Sequence, residues 1–128
     1  MNERFSKQMH LRSARDFERV YASKIFAADE TLVVTAIHNA LQYSRLGLSV
    51  SRKVGNAVVR NHWKRLIRES FRRSRIPIPT GLDIVVRPRR GGEPGFQTIS
   101  ESLASLIRRL EKRIQKPESN SNVSDKKK

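Results

Sequence analysis

Apolar residues along this chain follow two rhythms. Val59, Trp63, Leu66, Ile67 and Phe71 recur at i, i+4, i+7, i+8 and i+12, which at roughly 100° per residue gathers them on one side of a helix lying on a core, with Ser70 beside them. Asn56, just after Gly55, suits its start, because a short side-chain oxygen can accept from the first free backbone N–H groups. Pro77 and Pro79 end it. A last helix is predicted over 98–116, with Thr98 and Glu101 as a capping box and Ile99, Leu103, Leu106, Ile107, Leu110 and Ile114 as its core stripe. Arg108, Arg109, Lys112 and Arg113 crowd its end, where cations suit the helix dipole. A shorter helix is predicted over 11–21, with Ser13 as a candidate cap and Phe17, Val20 and Tyr21 as its apolar stripe.

The second rhythm is that of strands. Residues 24–28 suit a short strand, Asp29 and Glu30 a turn, and 31–38 (TLVVTAIH) a β-branched strand whose near-continuous apolar run implies burial on both faces or a central position. After a loop at 39–44, the stretch 45–54 alternates: Leu46, Leu48 and Val50 point one way, and Gly47, Ser49 and Ser51 the other. The small-residue face either meets solvent or leaves room for something to lie against the sheet. A turn region at 76–81 precedes a buried strand at 82–87, and 89–96 (RRGGEPGF) reads as a loop. Its glycines match no phosphate cradle, since neither GxGxxG nor Gly-Lys-Ser/Thr accompanies them. The order helix, strands, helix, strand, helix predicts an α+β fold, a small α/β sandwich of αβββαβα type, in which 45–54, the central helix and 82–87 form a strand–helix–strand crossover. One domain is expected over 1–116, with its core at about 11–110. Residues 1–10 read as a loose arm, and 117–128 (PESNSNVSDKKK) as a disordered basic tail.

Charge sharpens this picture. With 27 Lys and Arg against 12 Asp and Glu, the 128-residue chain carries a formal charge of +15. The side of the central helix opposite its apolar stripe holds Arg60, Lys64, Arg65, Arg68, Arg72 and Arg75. Like charges one turn apart cost a few tenths of a kcal/mol per pair, and only Glu69 offers relief within the helix. A plain solvated face is one reading of such a run; its near-pure Arg and Lys content in a basic chain favours a polyanion. No apolar run reaches the roughly 18 residues of a membrane span, and the first residues lack the apolar core of a secretory signal. With no Cys there is no disulfide framework and no thiolate metal site, which fits a reducing cytoplasm.

Catalytic chemistry is thin. His10, His38 and His62 fall in three different elements, none with a partner at ligand spacing. The carboxylates are scattered, with no pair of the kind that holds two metals in a nuclease. Ser49 and Ser51 have no general base near them in sequence. A binding protein, or one whose partner does the chemistry, is therefore expected, with no catalytic and no metal-ligating residue of its own. Phe17 and Tyr21 are either core or an aromatic platform for an unpaired base; Trp63 reads as core.

The segment GNAVVRNHWKRLIRESFR closely resembles the signature of the bacterial ribonuclease P protein family. Its Arg-Asn-x-x-Lys-Arg-x-x-Arg motif stands intact as Arg60, Asn61, Lys64, Arg65 and Arg68. GLSVSRKVGNAV resembles the strand and helix start that precede it, and LRSARDFERVY the family's first helix, with Phe17 in the matching place. The resemblance spans about residues 11–110. It implies an α-β sandwich with a left-handed βαβ crossover, a hand that breaks the usual rule, and a fold shared with a ribosomal-protein domain. It implies a cytoplasmic subunit that pairs with a large catalytic RNA to remove the 5′ leader of precursor tRNA, with Mg²⁺ expected on the RNA and substrate and none required by the protein. It places the leader between the first helix and the sheet, at Phe17, Tyr21, Ser49 and Ser51. It assigns Arg52, Lys53, Arg60, Asn61, Lys64, Arg65 and Arg68 to the RNA subunit or the nearby substrate, with Asn61 able to hold helix, RNA or a hydrated metal; Arg72, on the same basic face, is a further RNA-binding candidate. Tyr21 and Thr35 stand where relatives differ in aromatic content, and His62 and Trp63 fill variable positions of the motif. Outside the resemblance, the residues also suit a general RNA-binding or ribosomal-type protein, a DNA-binding helix module, or, least well, a self-sufficient nuclease.

Overall fold

The structure, a computed structural model, describes residues 9–74, 78–89 and 94–114. Its elements are α1 (Ala14–Ala22), β1 (Phe26–Ala28), β2 (Leu32–His38), β3 (Arg45–Leu48), α2 (Ala57–Arg72), β4 (Leu82–Pro88) and α3 (Phe96–Arg113). The four strands form one mixed sheet in the order β1-β2-β4-β3. β2 pairs antiparallel with both β1 and β4, and β3 lies parallel to β4. A parallel pair needs a crossover connection, and α2 supplies it. This is the α+β sandwich that the sequence predicts.

The period of two along β4 sorts the layers. Leu82, Ile84 and Val86 face the main core, together with Leu32, Val34 and Ala36 of β2 and Leu46 of β3. α2 and α3 cover this face with Trp63, Ile67, Phe71, Ile99, Leu103, Leu106, Ile107 and Leu110. Full burial of each such aliphatic side chain stabilises the fold by about 1.5–3 kcal/mol before entropy is counted. On the opposite face Leu11, Val20 and Val85 form a smaller cluster, with Phe17 and Ile37 packed against it. α1 lies there, so the sheet sits between one short helix and two long ones.

Several boundaries differ from expectation, each for a local reason. α1 starts at Ala14 because Ser13, in extended geometry, accepts from the Asp16 N–H at 3.0 Å. Leu11 is outside that helix: its N–H donates to the Leu46 carbonyl at 2.9 Å, and His10 bridges to Leu46 along the free edge of β3. β3 is shorter than 45–54. After Leu48 only the Ser49 N–H still reaches β4, at Val86 O, and the chain then tightens into a 3-10 turn at Arg52–Val54. The expected capping box at Thr98 and Glu101 does not form. Gly95 is the N-cap, without a side-chain bond, and Glu101 accepts from Gln97 instead. β1 and β2 begin at Phe26 and Leu32, two residues and one residue inside the expected strands. The stop at Pro77, the charge of Arg75, the C-terminal end expected for the last helix at 116, most of the N-terminal arm, residues 90–93 of the glycine loop and the basic tail all lie outside the described residues.

Candidate nucleic-acid interface

The start of α2 is built by the Gly55-Asn56 pair. Asn56 Oδ1 accepts from the Val59 N–H at 3.0 Å. A Cβ on residue 55 would stand 2.8 Å from Val59 Cγ1, so glycine is what lets the turn approach the helix this closely. Arg60 Nε donates to the Gly55 carbonyl at 3.2 Å and holds the turn from the other side. Arg52 and Lys53 in the 3-10 turn are exposed, next to the base of the helix.

Along α2 the two faces separate as the spacing predicts. Trp63, Ile67, Ser70 and Phe71 are buried; Asn61, His62, Arg65 and Arg68 are exposed, and Arg60 and Lys64 half-buried. Lys64, Arg65 and Arg68 thus keep their cationic heads available beside Arg60 and Asn61. Arg72 differs from them, since its guanidinium pairs with Glu69 at 2.5 Å. Such a surface pair contributes at most about 1 kcal/mol, so a phosphate could exchange for it. The pKa of His10 is lowered by partial burial and by the charges of Arg12 and Arg68, so this imidazole lies in the same positive field as the helix.

The second candidate surface is the open end of the α1–sheet layer. Phe17 is half-buried over Gly47, where an added Cβ would meet Phe17 Cζ at 2.8 Å and Leu11 Cβ at 3.0 Å. The absence of a side chain at residue 47 therefore sets how closely α1 lies on β3. One turn further along, Tyr21 meets Phe17 edge-on at 6.4 Å between ring centroids, and the Arg87 guanidinium carbon lies 5.8 Å from the Tyr21 ring centroid. Tyr21, Ser49, Ser51, Arg87 and Pro88 line an open cavity of about 330 Å³. The chain passes directly from Ser51 in this cavity to Arg52 and Lys53, so cleft and basic helix are joined by a few residues of backbone. Thr35, by contrast, is buried and lies outside that lining.

The structure thus brings Tyr21, Ser49 and Ser51 together, with Phe17 in the packed layer behind them. It adds Arg87, which sequence reasoning missed. The signal was parity: in LDIVVR, residues 83, 85 and 87 share the face opposite the main core, so the last Arg emerges beside α1.

Beneath α1 sits a carboxylate, Asp83, with a fully buried side chain. Arg45 grips it with two bonds, Nε to Oδ1 at 2.8 Å and Nη2 to Oδ2 at 2.7 Å. Asn39 Nδ2 donates to Oδ1 at 2.8 Å, and Arg19 Nη2 of α1 donates to Oδ2. Burial alone would raise the Asp83 pKa, but the bonds from Arg45, Asn39 and Arg19 outweigh it and hold the carboxyl below its ordinary value. Asp29, in the β1–β2 turn, is lowered in the same way: burial works against ionisation, and bonds from Ser102, Leu32 and Thr31 prevail. A carboxyl with a depressed folded-state pKa contributes stability that is fully present above the unfolded value of about 3.9, and it is lost as pH falls through the folded value. Thermal melting should therefore show no loss from these two groups between about pH 5 and 8 and a fall beginning near pH 4. Asp29→Asn should flatten that fall, as melts across the acid range will show; an unchanged acid limb would mean that this carboxyl is not depressed.

Among the described residues no three His, Cys, Asp or Glu side chains converge on a metal position, and no helix is long and apolar enough to cross a membrane.

A cationic helix, capped by Gly-Asn and set beside an open cleft on a mixed sheet, defines a class: small basic α+β proteins with a charged helix face next to a cleft. The ribonuclease P family model matches residues 5–111. The ribonuclease P protein component of Thermotoga sp. (strain RQ2) is 42% identical over 116 residues, which span 87% of this chain and 99% of that protein. The solved RNase P protein from Thermotoga maritima aligns with a TM-score of 0.71 at 40% identity, covering 84% of this chain and 98% of that one. A Staphylococcus aureus RNase P protein mutant, described as defective in mRNA degradation activity, aligns with a TM-score of 0.73 at 33% identity over 82% of this chain and 90% of that one. The chain belongs to the ribonuclease P protein family.

Proposed function

We propose that this chain is the protein subunit of a ribonuclease P holoenzyme, pairing with its catalytic RNA and holding the 5′ leader of precursor tRNA while the leader is removed. The observation that carries this reading is the continuity of two surfaces, the exposed face of α2 and the α1–sheet cleft, joined through Ser51, Arg52 and Lys53. Guanidinium forks match phosphate oxygens in pairs, so Arg60, Arg65 and Arg68 suit a folded RNA, with Arg52, Lys53, Lys64 and Asn61 at its margin. An unpaired strand needs stacking surfaces and small polar neighbours rather than a groove reader. Tyr21, backed edge-on by Phe17, supplies the first, Ser49 and Ser51 the second, and Arg87 a charge for the strand's backbone.

In this reading phosphodiester hydrolysis takes place on the RNA, with Mg²⁺ held by RNA and substrate. The carboxylates Asp29 and Asp83 are occupied by protein hydrogen bonds, so they suit structural duty better than metal ligation. Work in the cytoplasm follows from the same reading.

The test compares substrates. In the holoenzyme, Phe17→Ala should weaken binding of precursor tRNA with a leader more than binding of mature tRNA. The size expected is up to roughly 5- to 150-fold, the worth of about 1–3 kcal/mol for the one base–aromatic stack on Tyr21 that Phe17 backs. Equal losses for both RNAs would reduce Phe17 to a packing residue and remove the leader from this cleft.

A further inference from the structure

We propose that Asp83 is a positioning residue for the leader cleft, fixing α1 on the sheet through Arg19 and so setting where Tyr21 stands relative to Ser49 and Ser51. The inference rests on the leader reading above and extends it to residues that do not touch RNA.

Ionised Asp83 favours the fold relative to its protonated form, but relative to apolar side chains the cluster is poorly explained as a stability device. Desolvating the Asp83 carboxylate costs several kcal/mol, while Arg19 and Arg45 stay partly exposed, and replacing a buried charge cluster with apolar side chains is often neutral or stabilising. What a buried charge with directional bonds gives instead is orientation. Arg45 stands opposite Asp83 in the β3–β4 register and takes both carboxylate oxygens. Asn39 anchors the same carboxylate and, through its own Oδ1, accepts the Leu41 N–H at 2.7 Å. The carboxylate is thus held rigidly by the sheet and one loop, and it reaches α1 through Arg19.

α1 needs such a tether. It has 9 residues, of which only Val20 is fully buried, and isolated helices under about 12 residues are marginal. Phe17 over Gly47 and Val20 in the small cluster fix its height above the sheet. These apolar contacts share one short stripe, and the Arg87 guanidinium at 5.8 Å from the Tyr21 ring is a loose contact, so rotation and slide stay weakly defined. Arg19, on a different side of the helix, supplies the third point. Asp16 steadies its guanidinium at 3.5 Å. With three points fixed, Tyr21 is placed at the cavity wall, one turn beyond Phe17. Losing the Arg19 point lets α1 turn about the Phe17–Val20 line and changes the width of the cleft without disturbing α2.

The experiment uses the reconstituted holoenzyme with Arg19→Ala, Arg19→Lys and Asp83→Asn. Three quantities are measured: affinity for ribonuclease P RNA, for precursor tRNA carrying a leader, and for mature tRNA. Arg19 is 40% exposed in its side chain, so its loss leaves Asp83 still bonded to Arg45 and Asn39. Arg19→Ala should lower the preference for precursor over mature tRNA by about tenfold, the scale of one stacking contact. RNA-subunit affinity should stay within twofold, and Arg19→Lys should restore most of the preference. Asp83→Asn should show the same selective loss; if it does not fold, the Arg19 pair decides alone. A preference unchanged in Arg19→Ala overturns the proposal, as does an equal loss of all three affinities, which a general folding defect would give. A wild-type protein with no leader preference overturns the leader reading itself, and the proposal with it; that outcome is visible before any variant is made.

Discussion

Replacing Arg60, Arg65 and Arg68 together with alanine should lower affinity for ribonuclease P RNA by at least about 100-fold while leaving the protein folded. Each charge-assisted hydrogen bond to a phosphate is worth about 1.5–3 kcal/mol net. Such losses are not additive within one interface, so a floor of about 2.7 kcal/mol, or 100-fold, is the safer expectation. Stability should change by no more than about 1 kcal/mol. Arg65 and Arg68 are exposed, and removing them also relieves repulsion along the helix. Arg60 loses only its bond to the Gly55 carbonyl, while the Asn56 cap remains. The salt dependence should change in step: each phosphate contact removed lowers the slope of log K against log salt by about 0.7–0.9. Arg72→Ala should do less, because Glu69 already holds that side chain. Normal RNA affinity in the triple variant would return the basic face to solvent.

The largest effect on stability is expected at Trp63. The residue is 4% exposed and belongs to the main core that α2 and α3 form with the sheet. Trp63→Ala should cost about 3–5 kcal/mol through lost burial and the cavity left behind. Trp63→Phe should cost far less, within about 1 kcal/mol. The indole Nε1 is buried with no hydrogen-bond partner among the described residues, and an unsatisfied donor already costs about 1–3 kcal/mol. Phenylalanine removes that penalty while losing part of the packing, so the two changes offset. Urea unfolding with an unchanged slope reads both differences directly. A near-neutral Trp63→Ala would place the indole outside the core.

Much of this was legible in the sequence because period and capping are local. The apolar spacing from Val59 to Phe71 put Trp63, Ile67 and Phe71 on the buried face of α2, and Gly55-Asn56 marked its start. The alternation from Leu46 to Ser51 separated the core face from the cleft face. Helix and strand ends were less readable. Leu11 has the spacing of a helical residue but bonds to the edge of β3, a contact set by tertiary structure. Thr98 and Glu101 have the spacing of a capping box, yet the helix starts two residues earlier at Phe96. The Asp83 cluster was not legible at all. Arg19, Asn39, Arg45 and Asp83 come from four segments, and only the parallel register of β3 and β4 and the placement of α1 bring them together. Arg87 lies between: its face follows from strand parity, its neighbour Tyr21 only from the fold.

The central claim is that this chain assists an RNA that performs the cleavage. Its most direct test is cleavage of a precursor tRNA bearing a 5′ leader, at low Mg²⁺, by a bacterial ribonuclease P RNA with and without this protein, beside a protein-only control. Cleavage at the mature 5′ end only when RNA and protein are both present is the predicted result. Cleavage unchanged by a protein that still binds RNA would make it a general RNA-binding protein, and cleavage by the protein alone would place the chemistry on this chain.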